Sequence, residues 1–185
     1  MATRKTSTRK SSSSAARSRA AAEIARANSS KRDVANAQKG TTKTEGAIRG
    51  GDGKYQFTLA EVKEVPAGTG YSTSHGGVVE GARMLVGYIH KPRGTGSRMH
   101  THKNEQFNYV VRGTLVGSVN GKRIVAPAGT LIYIPANAPH TLVASPAGED
   151  VIFIAIKDLS QGIIGQAVDG TMTGPHYDPG FGPDS

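Results

Sequence analysis

At 185 residues, with no cysteine and a formal net charge of +9, the chain has room for one ordinary domain plus appendages. The lack of cysteine excludes disulfide frameworks, thiolate metal sites and cysteine nucleophiles. The charge is confined to one end: residues 1–49 hold 12 Lys and Arg against Glu23, Asp33 and Glu45, while residues 50–185 hold 11 of each sign. No run of about 18 apolar residues exists, and the N-terminus lacks the apolar core of a secretory signal. The reading is a cytoplasmic protein that makes no membrane contact.

In chain order, residues 1–50 come first as a basic tail rich in Ser, Ala, Arg and Lys. The first aromatic residue is Tyr55. Such a composition buries too little apolar surface to offset the entropy of ordering, so the tail is expected to be disordered. Ala15 to Ala27 supports at most a fluctuating helix. Gly50, Gly51 and Gly53 close the tail. Three readings compete for it, in this order: a solvated extension without function, nonspecific contact with polyanions through residues 1–49, and an organelle-targeting segment, whose usual Arg, Ser and Ala content it shares.

The second region, 51–157, is a series of short β-prone runs: Tyr55–Leu59, Val78–Glu80, Met84–His90, Phe107–Val111, Leu115–Val119, Leu131–Ile134, Thr141–Ala144 and Val151–Ile156. The pair Asn120 and Gly121 between two such runs predicts a tight hairpin, because both central residues of a type I′ turn need positive φ. Many short strands without a long 3.6-residue period predict an all-β domain, a single antiparallel β-barrel or jelly roll. The third region, 158–185, is rich in Gly and Pro and reads as an extended arm able to lie over the barrel mouth or a neighbouring subunit.

The candidate chemistry centres on four side chains. His100 and His102 are two apart, a spacing that points both imidazoles to one face of a strand. A short turn at Lys103 and Asn104 leads to Gln106 at the start of the next strand. The rigid segment Pro135 to Pro139 delivers His140 to another strand start. These four neutral donors suit one divalent ion, Fe, Mn, Ni or Zn, with Cu also compatible. Arg98 and Asn108 share strand parity with the ligands and are expected to line the cavity, where Arg98 would suit a substrate carboxylate. His75, His90, Tyr109 and Tyr133 read as packing or hydrogen-bonding residues.

The stretch Gly94, His100, Thr101, His102, Gln106, Gly113 resembles the first cupin motif, and Gly129, Pro135, Asn137, His140 resembles the second. Glu105 and Gln106 fall where the family often has its glutamate, with Gln106 on the ligand position and Glu105 expected to point away. The resemblance covers about 75 residues, with a motif core at 81–156. It implies a barrel with a His100, His102, Gln106, His140 metal site, and a homodimer in which Tyr55–Leu59 or the C-terminal arm packs on the partner.

Three functions follow. An all-neutral ligand set leaves the ion its full charge, which favours direct chelation of a small organic substrate and dioxygenase-type oxygenation. An isomerase or lyase acting on a sugar acid or related carbonyl compound, as the resembling sugar-acid cupins imply, would need an acid–base group, and the motif strands offer no inward Asp or Glu. The third is a cupin that binds a small molecule without turning it over.

Overall fold

The computed structural model describes residues 41–168, 170 and 174–183. The expected disorder of the basic tail and the helix at Ala15 to Ala27 fall mainly or wholly outside these residues. The strands in chain order are β1 (Ile48–Arg49), β2 (Glu64–Pro66), β3 (His75–Glu80), β4 (Met84–Lys91), β5 (Thr95–Gly96), β6 (His100–Thr101) and β7 (Gln106–Arg112). After them come β8 (Thr114–Val119), β9 (Lys122–Pro127), β10 (Leu131–Ile134), β11 (His140–Ala144), β12 (Val151–Asp158), β13 (Gln166–Ala167) and β14 (His176–Tyr177). They form two seven-stranded sheets. One runs β1-β3-β4-β12-β7-β10 with β2 beside β3; the other runs β13-β6-β11-β5-β14 with β8 beside β11 and β9 beside β8. Apart from the two-residue parallel pairing of β1 with β3, every ladder is antiparallel. This is the all-β jelly roll that the strand pattern predicts.

Period-2 burial builds the core. In β4 the buried positions are Leu85, Gly87, Ile89 and Lys91; in β12 they include Val151, Phe153, Ala155 and Lys157. The inward rows of the two sheets meet in one cluster that contains Leu85, Ile89, Val110, Leu115, Ile134, Leu142 and Phe153. The hairpin of β8 and β9 turns at Asn120 (φ 50°) and Gly121 (φ 73°), the pair of positive values that a type I′ turn requires.

Two expectations need correction. Tyr55–Leu59 is not a strand: it is irregular, leads into a single 3-10 turn at Leu59–Glu61, and leaves Tyr55 exposed. Its alternation is real, but it finds no neighbouring strand with which to satisfy its backbone. The tail boundary at residue 50 is too late. Ile48 and Arg49 pair with Val79 and Glu80, and the backbone N–H groups of Lys43 and Thr44 donate to the buried Glu80 carboxylate at 2.8 Å each. A charged group from the barrel thus orders a stretch whose own composition would not. The arm after residue 158 lies on the barrel. Its β13 pairs with β6 and its β14 with β5, and Phe181 fills the space a side chain would need at Gly94 (φ 68°).

Candidate metal centre

His100 and His140 face each other as partners in the β6–β11 ladder. His102 follows in the turn after β6, and Gln106 opens β7. The Pro135–Pro139 segment is closed by Ala138 N–H donating to Pro135 O at 3.1 Å, with Asn137 in the left-handed region (φ 62°) that asparagine tolerates better than most residues. The Asn137 N–H donates to His102 O at 2.8 Å, tying the two motif segments together. The ring centroids of His140 lie 4.0 Å from those of His100 and 4.8 Å from those of His102. One ring nitrogen from each of the three imidazoles lies within 4.8 Å of the others, an arrangement able to hold a metal ion.

Hydrogen bonding sets the direction of each ring. Nδ1 of His100 lies 2.8 Å from Arg98 O, that of His102 2.8 Å from Asn104 O, and that of His140 2.9 Å from Ala138 O. A carbonyl only accepts, so each Nδ1 carries the proton and each Nε2 presents its lone pair. His102 Nε2 is buried and has no hydrogen-bond partner, an orphan that a metal bond would satisfy. Burial is also the main cause of lowered basicity. It brings His100 to about 2, with His140 next in effect; His102 to about 3, with Lys157 next; and His140 to about 4, where Lys157 and Lys91 add to the fall. All three rings are therefore neutral at pH 7, the state in which imidazole binds a metal.

Gln106 is buried, and its Nε2 donates to Asn108 Oδ1 at 2.6 Å. This occupies the amide's donor side and leaves Oε1 as the free acceptor. Its side chain interacts with the His102 ring, so the structure brings it to the three imidazoles. Glu105 points outward, where its Oε1 accepts from Tyr133 Oη at 2.8 Å. The residues present fit a divalent ion held by three neutral imidazoles, with an amide oxygen beside them.

A cavity of about 60 Å³ adjoins the imidazoles. Asn108 lines it, as expected, and so do Gln106, His100 and His140. Arg98 does not: it is exposed and faces an outer groove with Met99 and His176. The strand that would extend the parity of His100 back to Arg98 stops at His100, because the chain leaves the ladder between β5 and β6 and Arg98 N–H donates to Tyr71 O. Three other residues of the site are absent from the sequence reading. Tyr71 tilts against His100 with centroids 4.5 Å apart, and burial holds its phenol well above the usual range. Lys91 and Lys157 line the cavity and are both lowered to about 7 by desolvation. Their signal was the inward parity of β4 and β12, which the strands predicted at Met84–His90 and Val151–Ile156 stop just short of. Asn104, fully buried, donates its Nδ2 to Asp158 O and Gln161 O at 2.6 and 2.8 Å while its carbonyl fixes His102.

Residues 87–157 match the family described as Cupin domain. Among solved structures, the polyketide cyclase RemF from Streptomyces resistomycificus is similar with a TM-score of 0.50 at 18% identity, over 58% of this chain and 80% of that one. A RmlC-like cupin from Shewanella frigidimarina NCIMB 400 gives 0.46 at 22% identity, over 56% and 88%. KdgF from Halomonas sp. gives 0.45 at 21%, over 53% and 86%. At these identities the likeness concerns the fold alone. No curated protein matches the chain.

Proposed function

We propose that this barrel, whose residues 87–157 match the Cupin domain family, is a divalent-metal-dependent enzyme that acts on a small organic molecule by oxygenation, with His100, His102 and His140 as ligands and Gln106 as the fourth. The observation that supports the metal is the set of three Nδ1 atoms locked on carbonyls, which turns three lone pairs inward. An iron-type ion held there supplies Lewis acidity toward an enol or phenol oxygen and electrons for O2. The chain's own residues do the rest. The apolar walls of Ile89, Leu142 and Phe153 keep bulk water away, and the carbonyls of Arg98, Asn104 and Ala138 hold the imidazoles in one tautomer. What favours oxygenation over isomerisation is that the cavity walls contain no carboxylate to act as a base.

A second reading is favoured by Tyr71 and the two lysines, which are proton-bearing groups on the same walls. It is Lewis-acid isomerase or lyase chemistry on a carbonyl compound. Elemental analysis of protein purified without added metal, followed by O2-electrode assays against enols, diketones and catechols, tests the first reading. Turnover that consumes O2 in step with product supports it. Turnover that proceeds anaerobically with solvent deuterium entering the product selects the second. Stoichiometric ligand binding with no turnover of any kind leaves a binding protein.

A further inference from the structure

The cavity walls carry a charge that the metal centre does not account for. Lys91 and Lys157 are 3% and 4% exposed, yet neither forms an ion pair with a carboxylate among the described residues. Lys91 Nζ donates to Leu142 O at 2.8 Å, which leaves its other protons for a further acceptor. Lys157 stands opposite Gln106 in the β12–β7 register. In the β4–β12 register Lys91 pairs with Val151 and Lys157 with Leu85. Their backbones are thus six residues apart along one strand pair, roughly 20 Å at ~3.4 Å per residue, and both side chains reach the one cavity.

Buried ammonium groups without a counter-ion are among the most costly placements in a protein. A lysine kept only for the fold would be expected to meet a carboxylate, as buried charges do. Along the walls the neighbours are the neutral imidazoles of His100 and His140, two amides, hydroxyls and hydrocarbon; the one carboxylate that acts on Lys157, that of the next residue Asp158, lies off the walls and accepts from the Glu105 and Ser160 N–H groups. A divalent ion would add two further positive charges and no negative ones. The group this set lacks is an anion.

We propose that Lys91 and Lys157 are the recognition residues for a small organic acid, whose carboxylate meets a lysine while a second oxygen, oxo or hydroxyl, faces the imidazole cluster. The cavity is small, about 60 Å³, which favours a short acid. Pyruvate and lactate are acids of that scale. The inference deepens the metal-enzyme reading and rests on it only for the second oxygen, since the lysines attract an acid whether or not an ion is present.

The test is calorimetric titration of the protein as purified, with metal content measured in parallel, using pyruvate and lactate against their neutral amides. The acids should bind and the amides should not. Lys91→Met and Lys157→Met should each weaken acid binding by roughly tenfold or more, the scale of a lost charge-assisted hydrogen bond, while keeping the metal and melting no lower than the wild type. Amides binding as tightly as acids, both variants within about twofold of wild type, or no saturable binding of either acid would overturn the proposal. Absence of metal with lysine-dependent acid binding intact would remove the metal reading and leave this one standing. Stoichiometric metal with lysine-independent binding would do the reverse.

Discussion

Replacing Lys91 with methionine should make the protein more stable, and by an amount that depends on pH in a set direction. Desolvation lowers this amine from 10.5 to about 7. At ~1.4 kcal/mol per unit, holding it charged in the folded state costs up to about 5 kcal/mol. Water entry into the cavity reduces this, so a gain of about 2–5 kcal/mol is expected for the similarly shaped, uncharged Met. The one hydrogen bond lost is to Leu142 O, which still accepts from Ser97 N–H at 3.1 Å and Ser97 Oγ at 3.2 Å, so no carbonyl is orphaned. Between pH 7 and 10.5 the unfolded chain binds this proton and the folded chain does not, so wild-type stability rises with pH across that window. Below pH 7 both states hold the proton and the full penalty remains. The advantage of Lys91→Met is therefore greatest at or below pH 7 and fades toward pH 10.5. Thermal melts of chelator-treated protein at pH 6, 7, 8, 9 and 10 measure it. The expected rise near neutral pH is on the order of 5–15 °C at ~2–4 °C per kcal/mol for a chain of this size. A variant less stable than wild type at pH 7, or an advantage that does not shrink on going to pH 10, would refute the reasoning.

His140→Ala and His102→Ala should each lose bound metal while the barrel, whose apolar cluster needs no ion to form, retains its strand signature by circular dichroism; elemental analysis reads the loss. Gln106→Glu should retain or tighten the metal and change the rate, because an anionic ligand weakens the ion as a Lewis acid, whereas Gln106→Ala should lower metal affinity in a chelator competition. Asn104→Ala removes two hydrogen bonds from a fully buried amide and should cost about 2–3 kcal/mol in urea unfolding while loosening the His102 ring. Removing residues 1–40, which carry ten Lys and Arg against two acids, should abolish salt-sensitive binding to DNA without changing stability; extending the deletion through residue 49 strips the buried Glu80 carboxylate of two N–H donors and should cost about 3–5 kcal/mol. A homodimer should use the exposed Tyr109, Leu131 and Tyr133 on β7 and the sheet-edge strand β10, so Leu131→Lys should shift sedimentation toward monomer.

What the sequence determined by itself is whatever depends on near neighbours. The β-prone runs that become β4, β7 and β12 and the turn at Asn120 and Gly121 are local properties of the backbone, and the structure carries them as read; the strand expected to hold both His100 and His102 ends at Thr101, so His102 joins the cluster from a turn. Leu131–Ile134 is matched residue for residue. Tertiary structure decided what depends on which segments meet. His140 reaches His100 through a ladder that joins residues 40 apart, a pairing suggested by the motif but set by the crossing of β11. Arg98 turns outward because the chain leaves the sheet before it. Residues 43–49 are ordered by Glu80, whose need for N–H donors is invisible in the tail's own composition. Lys91 ends β4 and Lys157 is next to last in β12, where lysine's weak β-propensity argues that the strand is over; only the packing of β4 against β12 shows that parity continues and carries two charges inside. A lone strand can tolerate a lysine on either face, and the physical reason these two face inward is that the rest of each row is already committed to the core.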